Sequence, residues 1–405
     1  MVVVTRINVL VLGFILMGSA AHAEMPWPRH TVDTSSEGAD GAKLQDVNAD
    51  GLPDLVVPWE EGGQIRVYLH PGPKKVTQRW PSVTVGMVTS PEDAIFVDLD
   101  HDGHVDVVSC CEGTQRTIQV HWAPKRASDY LDASQWKTEQ IPCTVGEQMW
   151  MFAVSMQVDG HAGTDLIVGS KGANASVSWL ESPEDPRKLD GWKLHHIIPA
   201  GWIMSLRLAD MNADGQHDLL LSDRRGMTRG VKWLEVPSNP VADKWPVHNI
   251  GGRENEVMFL DIADLDGDRQ SEVVVATHQS KMLVLSQELL NGKTTNRWSH
   301  TSIANPHAIP KGKGVAIGDL NQDGFNDIVH STEPSGDPRL SGVTWLRQER
   351  VNGRVTWVSS DISGPDGIKF DLVRLFDLDQ DGDLDVITCE ERHNLGVIWY
   401  ENPSR

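Results

Sequence analysis

The sequence predicts an all-β chain, a seven-bladed β-propeller of four-stranded blades whose last blade is completed by the N-terminal strand. Three observations carry that prediction. An acidic loop recurs about every 55 residues. A pattern of Trp, four residues, then Ile or Val recurs in step with it. A third series places an aromatic residue after β-branched residues at the same period.

The acidic loop reads DVNADGLPD from Asp46, DLDHDGHVD from Asp98, DMNADGQHD from Asp210, DLDGDRQSE from Asp264, DLNQDGFND from Asp319 and DLDQDGDLD from Asp377. A worn copy, QVDGHAGTD from Gln157, makes seven. The tryptophan series starts at Trp27, Trp80, Trp136, Trp192, Trp245, Trp298 and Trp357, and the aromatic series includes VSWLESP, VKWLEVP, VTWLRQ and VIWYENP. Each unit therefore holds four short strands. The first leads into the acidic loop, and the second, such as DLLLS, leaves it. The third carries the aromatic and the fourth carries Trp-x4-Ile, both alternating as half-buried strands do. Radial repetition of such units leaves few exposed sheet edges. WPRHTV at the N-terminus has no loop before it, and the last unit stops after VIWYENP, so the N-terminal segment is expected to close the ring.

Residues 1–23, MVVVTRINVLVLGFILMGSAAHA, combine one basic residue, an apolar run and the small-x-small ending Ala21-His22-Ala23. This reads as a signal peptide cut before Glu24, and its apolar run is short of the ~20 residues that span a membrane. Residues 24–405 are then one propeller domain, expected in the periplasm or outside the cell, not inserted in a membrane and acting as a monomer. The formal net charge of −21 argues against nucleic acid and suits a cation binder. Cys110, Cys111, Cys143 and Cys389 are too few for a disulfide scaffold, and their pairing stays open.

In the last loop Asp377, Asp379 and Asp381 stand at positions one, three and five, Gly382 at six permits a positive-φ bend, and Asp385 at nine closes the set. Hard oxygen ligands in this number suit Ca²⁺ in a structural role. The competing reading is an Asx-rich turn without metal. Five loops are expected to bind well: Asp46, Asn48, Asp50 and Asp54; Asp98, Asp100, Asp102 and Asp106; Asp210, Asn212, Asp214 and Asp218; Asp319, Asn321, Asp323 and Asp327; and the last. The loop of Asp264, Asp266, Asp268 and Glu272 has Arg269 in the glycine position, a competing cation. The third, with Gln157 and His161 at positions one and five, is expected to bind little or nothing. His101 and His104 are read as exposed and non-ligating.

This loop–strand unit resembles the FG-GAP or VCBS repeat of integrin α-chain propellers and many secreted bacterial proteins. The resemblance covers the whole mature chain. Without literal Phe-Gly and Gly-Ala-Pro signatures, the chain is closer to the bacterial form. It implies the propeller fold but not one function, because the family includes adhesion modules, carbohydrate binders and some polysaccharide lyases.

Function is expected at the mouth opposite the acidic loops. Six residues past the acid that opens each second strand stand Glu60, Glu112, Lys171, Arg224, His278, Glu333 and Glu391. Six before each loop stand Asp40, Glu92, Met151, Met204, Met258, Lys313 and Asp371. Both sets predict an acidic wall facing a basic and apolar one. Twelve of the fifteen tryptophans belong to the strand series; the three left over, Trp59, Trp150 and Trp202, fall near this mouth and are candidates for stacking sugar rings. The reading is a calcium-stabilised propeller that binds a polysaccharide there. One alternative is a polysaccharide lyase using Lys171, Arg224, Arg225 and His278, or a glycoside hydrolase using two of the glutamates. A second is adhesion to a surface protein. Tyr68, Tyr130 and Tyr400, placed in third strands or a side loop, provide poorly for a Tyr/His lyase.

Overall fold

Each repeat resolves into four antiparallel strands, here called A to D from the axis outward. In blade one they are Lys43–Gln45, Asp54–Trp59, Gln64–Tyr68 and Ser82–Met87, paired in that order. The computed structural model describes residues 25–404, apart from residue 162 and residues 291–292, 307–310 and 334–341. Seven such four-stranded sheets form the ring. Residues 1–23, read as a signal peptide, lie outside the described residues. No helix among the described residues is long and apolar enough to cross a membrane.

The B strands explain why the chain favours this architecture. Asp54–Trp59, Asp106–Cys111, Asp218–Asp223 and Asp385–Glu390 are buried at every residue. Both faces of such a strand must meet a neighbouring blade, so apolar side chains serve on either side. The seventh sheet runs Arg29–Asp33, Gly396–Tyr400, Asp385–Glu390, Arg374–Phe376. The N-terminal strand pairs antiparallel with the chain's last strand, His30 opposite Trp399, and closes the ring as the sequence predicts.

Trp59 and Trp150 correct the sequence reading. Both are fully buried. The Trp59 indole donates to the Tyr68 hydroxyl at 3.0 Å and that of Trp150 to the Thr144 carbonyl at 3.1 Å. They end B or begin A strands inside the interblade core, where the apolar surface of an indole is most stabilising, so neither offers a face to a ligand. Tyr68, Tyr130 and Tyr400 are likewise buried. The four cysteines are free thiols, with Cys110, Cys111 and Cys389 buried. His101 is exposed as expected, but His104 is half-buried.

Strand direction separates two faces. Every A strand runs from the mouth to its acidic loop and every B strand returns. The loops and the mouth residues therefore lie at opposite ends of six- or seven-residue strands, roughly 20 Å apart.

Candidate functional site

The mouth is built by irregularities at the A-strand starts. The pairing of strands A and B slips between Pro91 and Asp93, Trp150 and Phe152, Ile203 and Ser205, Val257 and Leu260, and Gly312 and Val315. A bulge re-aims the extra residue. The skipped residues are Glu92, Met151, Met204, the pair Met258–Phe259, and the pair Lys313–Gly314. Glu92, Met151, Met204 and Lys313 line a central cavity of about 570 Å³. In blade five the second bulge residue, Phe259, takes the axial place and Met258 is buried in the core, against expectation, whereas in blade six the first, Lys313, faces the axis.

The B-strand ends supply the other half. Glu60, Glu112, Lys171, Arg224, Glu333 and Glu391 line the cavity with Asp40, Asp371 and Trp202. His278 stands behind that lining, with Nε2 3.1 Å from Glu333 and Nδ1 3.2 Å from the Arg224 guanidinium. Sequence reasoning missed Glu61, Phe152, Lys311, Lys369 and Arg392, which also line it. Lys311 and Lys369 stand two residues before Lys313 and Asp371, so strand alternation carried a signal for them.

The two-wall picture is corrected. Lys171 of blade three reaches back to Glu92 at 2.9 Å and to Glu112, both of blade two. Lys313 pairs with Glu333 at 3.1 Å and Asp371 at 3.5 Å, and Lys369 with Glu391. Arg224 and Arg225 share Glu256 at 2.6 and 2.9 Å. Lysines thus interleave with the acids, since a wall of like charge near the axis would be costly to desolvate. Acids still outnumber cations. Burial, then neighbouring carboxylates, pushes Glu60 up to about 7. Burial raises Glu92 to about 8 in spite of Lys171, and Asp40, beside Asp371 and Glu92, goes well above its usual range. Burial and the crowding of acids thus favour the neutral form of these mouth carboxyls.

Trp202 is the spare tryptophan that reaches the cavity. Lys171, Arg224 and Arg225 lie 4.8, 4.4 and 4.8 Å from its ring. Its indole N–H has no acceptor among the described residues.

At the other face the acidic loops share one geometry. Gly51, Gly103, Gly215, Gly324 and Gly382 at position six have positive φ, as expected. Position four does too, at Ala49, His101, Ala213, Gln322 and Gln380, each with φ near 60°. The fifth loop exchanges the two roles, with Gly267 at four (φ 80°) and Arg269 at six (φ 73°), so glycine is kept but moved.

Position nine has a second role that sequence reasoning did not foresee. In all seven loops its carboxylate accepts the backbone N–H of position two, from Val47, Leu99, Val158, Met211, Leu265, Leu320 and Leu378, at 2.9–3.3 Å. In five loops the other oxygen accepts an N–H from strand C or just beyond it: His70, Ala123, Ser182 and Asn402 follow the strand, and Gln348 lies within the longer strand of blade six. The acid is a latch between loop and sheet, with lone pairs to spare for a cation. Burial raises these carboxyls: Asp54, Asp218 and Asp327 to about 6, and Asp106, Glu272 and Asp385 to about 7.

The loops fit a metal ion. Ligand atoms of Asp98, Asp100 and Asp106 lie within 4.8 Å of one another, as do those of Asp264, Asp266 and Glu272. Asp98 Oδ1 and Asp377 Oδ1 are buried with no hydrogen-bond partner. Two loops carry substitutes for a cation. Gln157 Nε2 donates to the His161 and Gly163 carbonyls at 2.6 and 2.5 Å. Arg187, from blade three, pairs with Asp100 and lies 3.5 Å from Asp102. The second loop thus has a competing cation that its own sequence does not disclose.

A family model described as an FG-GAP-like repeat matches residues 46–109 and 246–330. No curated protein matches the chain. Among solved structures, a chain of the crystal structure of BBS1N in complex with ARL6DN, soaked with mercury, is similar, with a TM-score of 0.51 at 10% identity over 93% of this chain and 96% of that one. That likeness concerns the fold. Propellers of this repeat suggest a ligand-binding or adhesion module. The chain is thus a seven-bladed β-propeller that carries FG-GAP-like repeats over two stretches of its length.

Proposed function

We propose that this propeller binds a polysaccharide at its central mouth and holds Ca²⁺ in the acidic loops of the opposite face. One observation carries the reading: ends from all seven blades meet in a cavity that sets carboxyls, cations and a half-buried indole side by side. Hydroxyl-rich rings need donors and acceptors in alternation with an apolar face, and this lining supplies both. The calcium reading rests on the oxygen-only donor sets and on the orphaned Asp98 and Asp377 oxygens. Secretion rests on residues 1–23 alone.

The enzyme reading has less support. Lys171, Arg224 and His278 are each engaged by carboxylates, which weakens them as partners for a uronate, and the three buried tyrosines are out of reach. The test is to mix the mature protein with acidic and neutral polysaccharides, following co-sedimentation and the ultraviolet absorbance of unsaturated sugar ends. Binding without new ends is expected. Absorbance growth would replace the binding module with a lyase, and silence on every substrate would favour a protein partner.

A further inference from the structure

Blades one to four close the gap to the preceding blade with a strap of their own chain. The connection between strands C and D folds back, and the tryptophan that ends it donates its indole N–H to a strap carbonyl. Trp80 donates to Val76 at 2.9 Å, Trp136 to Tyr130 at 2.9 Å, Trp192 to Pro186 at 3.0 Å and Trp245 to Pro240 at 3.4 Å. Each strap packs across its gap. Val76 and Trp80 cluster with Leu378 and Trp399 of blade seven, and Tyr130 and Trp136 with Val47 and Val67 of blade one. In blade three the strap also lays Arg187 on Asp100, position three of the preceding acidic loop.

Blade six has no strap. Its C and D strands, Val343–Val351 and Arg354–Asp361, join in a hairpin through Asn352 and Gly353, both at positive φ as a two-residue turn requires. Trp357, the counterpart of the strap tryptophans, is only partly buried. The gap between blades five and six is left as a groove of about 690 Å³. Val284, Ile303, Leu346 and Trp357 line it, and Asp266 and Glu272 of the fifth loop lie at its edge. Val355, also on its wall, is 43% exposed.

We propose that this groove is a docking site for a linear peptide of a partner protein, one that does what the straps do in the neighbouring gaps. The occupant presents an apolar side chain over Val284 and Trp357, a backbone carbonyl to the Trp357 indole and a basic side chain to Asp266. Asp266 occupies the loop position that Asp100 holds under Arg187. A peptide fits better than a small ligand because four equivalent gaps are closed by peptide, with the same indole-to-carbonyl bond in each. The groove is separate from the central mouth, and side-chain packing with a single indole-to-carbonyl bond is its mode of recognition.

The test uses fluorescein-labelled peptides with two of the chain's own strap sequences, KRASDYLD (residues 125–132) and PEDPRKLD (residues 183–190), titrated into the whole protein. Anisotropy is expected to show saturable binding that Trp357→Phe, which keeps the ring but removes the N–H, weakens about fivefold. Ser286→Trp, which fills the groove, is expected to abolish it; if circular dichroism shows that variant misfolded, Ser302→Trp serves instead. The Trp357 indole resonance, identified by its loss in Trp357→Phe, should shift on binding. Absence of saturable binding, or binding unchanged by the filled groove, overturns the proposal. A dimer in sedimentation that the same substitutions abolish also overturns it, placing a second copy there.

Discussion

At the scale of single residues, three tryptophans with the same sequence credentials separate by burial. Trp59 and Trp150 are fully buried, whereas Trp202 is half-buried among three cations. Trp59→Ala is expected to cost about 3–5 kcal/mol in denaturant unfolding. Trp202→Ala should cost far less stability while weakening saccharide binding, measured by co-sedimentation; equal effects on stability would remove Trp202 from the site. Glu60 makes a pH prediction. Its folded carboxyl titrates at about 7, above the unfolded value, because burial and three neighbouring acids disfavour its charge. The folded state therefore holds the proton longer, and this contribution to stability is complete below about pH 4.5 and lost as pH rises through 7. Glu60→Gln removes the loss. After discounting for partial exposure, the variant should gain about 1–2 kcal/mol at pH 8 and nothing at pH 4. Chemical unfolding at the two pH values checks it, and an equal gain at both would reject the burial argument.

At the scale of elements, the acidic loop is two devices in one sequence. Positions one, three and five gather oxygens, while position nine fastens the loop to the sheet. Asp165 isolates the second function, because its loop has Gln157 where the others have a carboxylate. Asp165→Ala deletes a buried carboxylate that accepts two backbone N–H groups and should cost about 3 kcal/mol. The loss is expected to be the same in chelator and in millimolar calcium, measured by urea titration. A loss that calcium changes would make the third loop a metal site after all. Bulges are the other element-scale device. They turn Glu92, Met151, Met204 and Lys313 to the axis, which is why counting along the sequence found them, and in blade five the second bulge residue, Phe259, takes that place instead of Met258.

For the whole molecule, calcium should act as a ligand of the folded ring alone. Each site contributes about 2.7 kcal/mol at a hundredfold excess over its Kd, so the melting temperature should rise by several degrees between chelator and millimolar calcium in scanning fluorimetry. No shift would leave the loops as Asx turns. Arg187→Ala should strengthen binding at the second loop, since it removes the cation that now sits on Asp100. What the sequence determined by itself is the number of blades, the strand order, the closing N-terminal strand and most, but not all, of the positions that face the mouth. Period, alternation and loop chemistry are local, so seven copies report them seven times over. What only the tertiary structure decided depends on neighbours distant along the chain. Whether a tryptophan faces core or cavity, which lysine neutralises which carboxylate, that Arg187 lies over a loop 87 residues earlier and that the gap between blades five and six is left as a groove are all settled by packing between blades. No residue's own surroundings in sequence record those contacts.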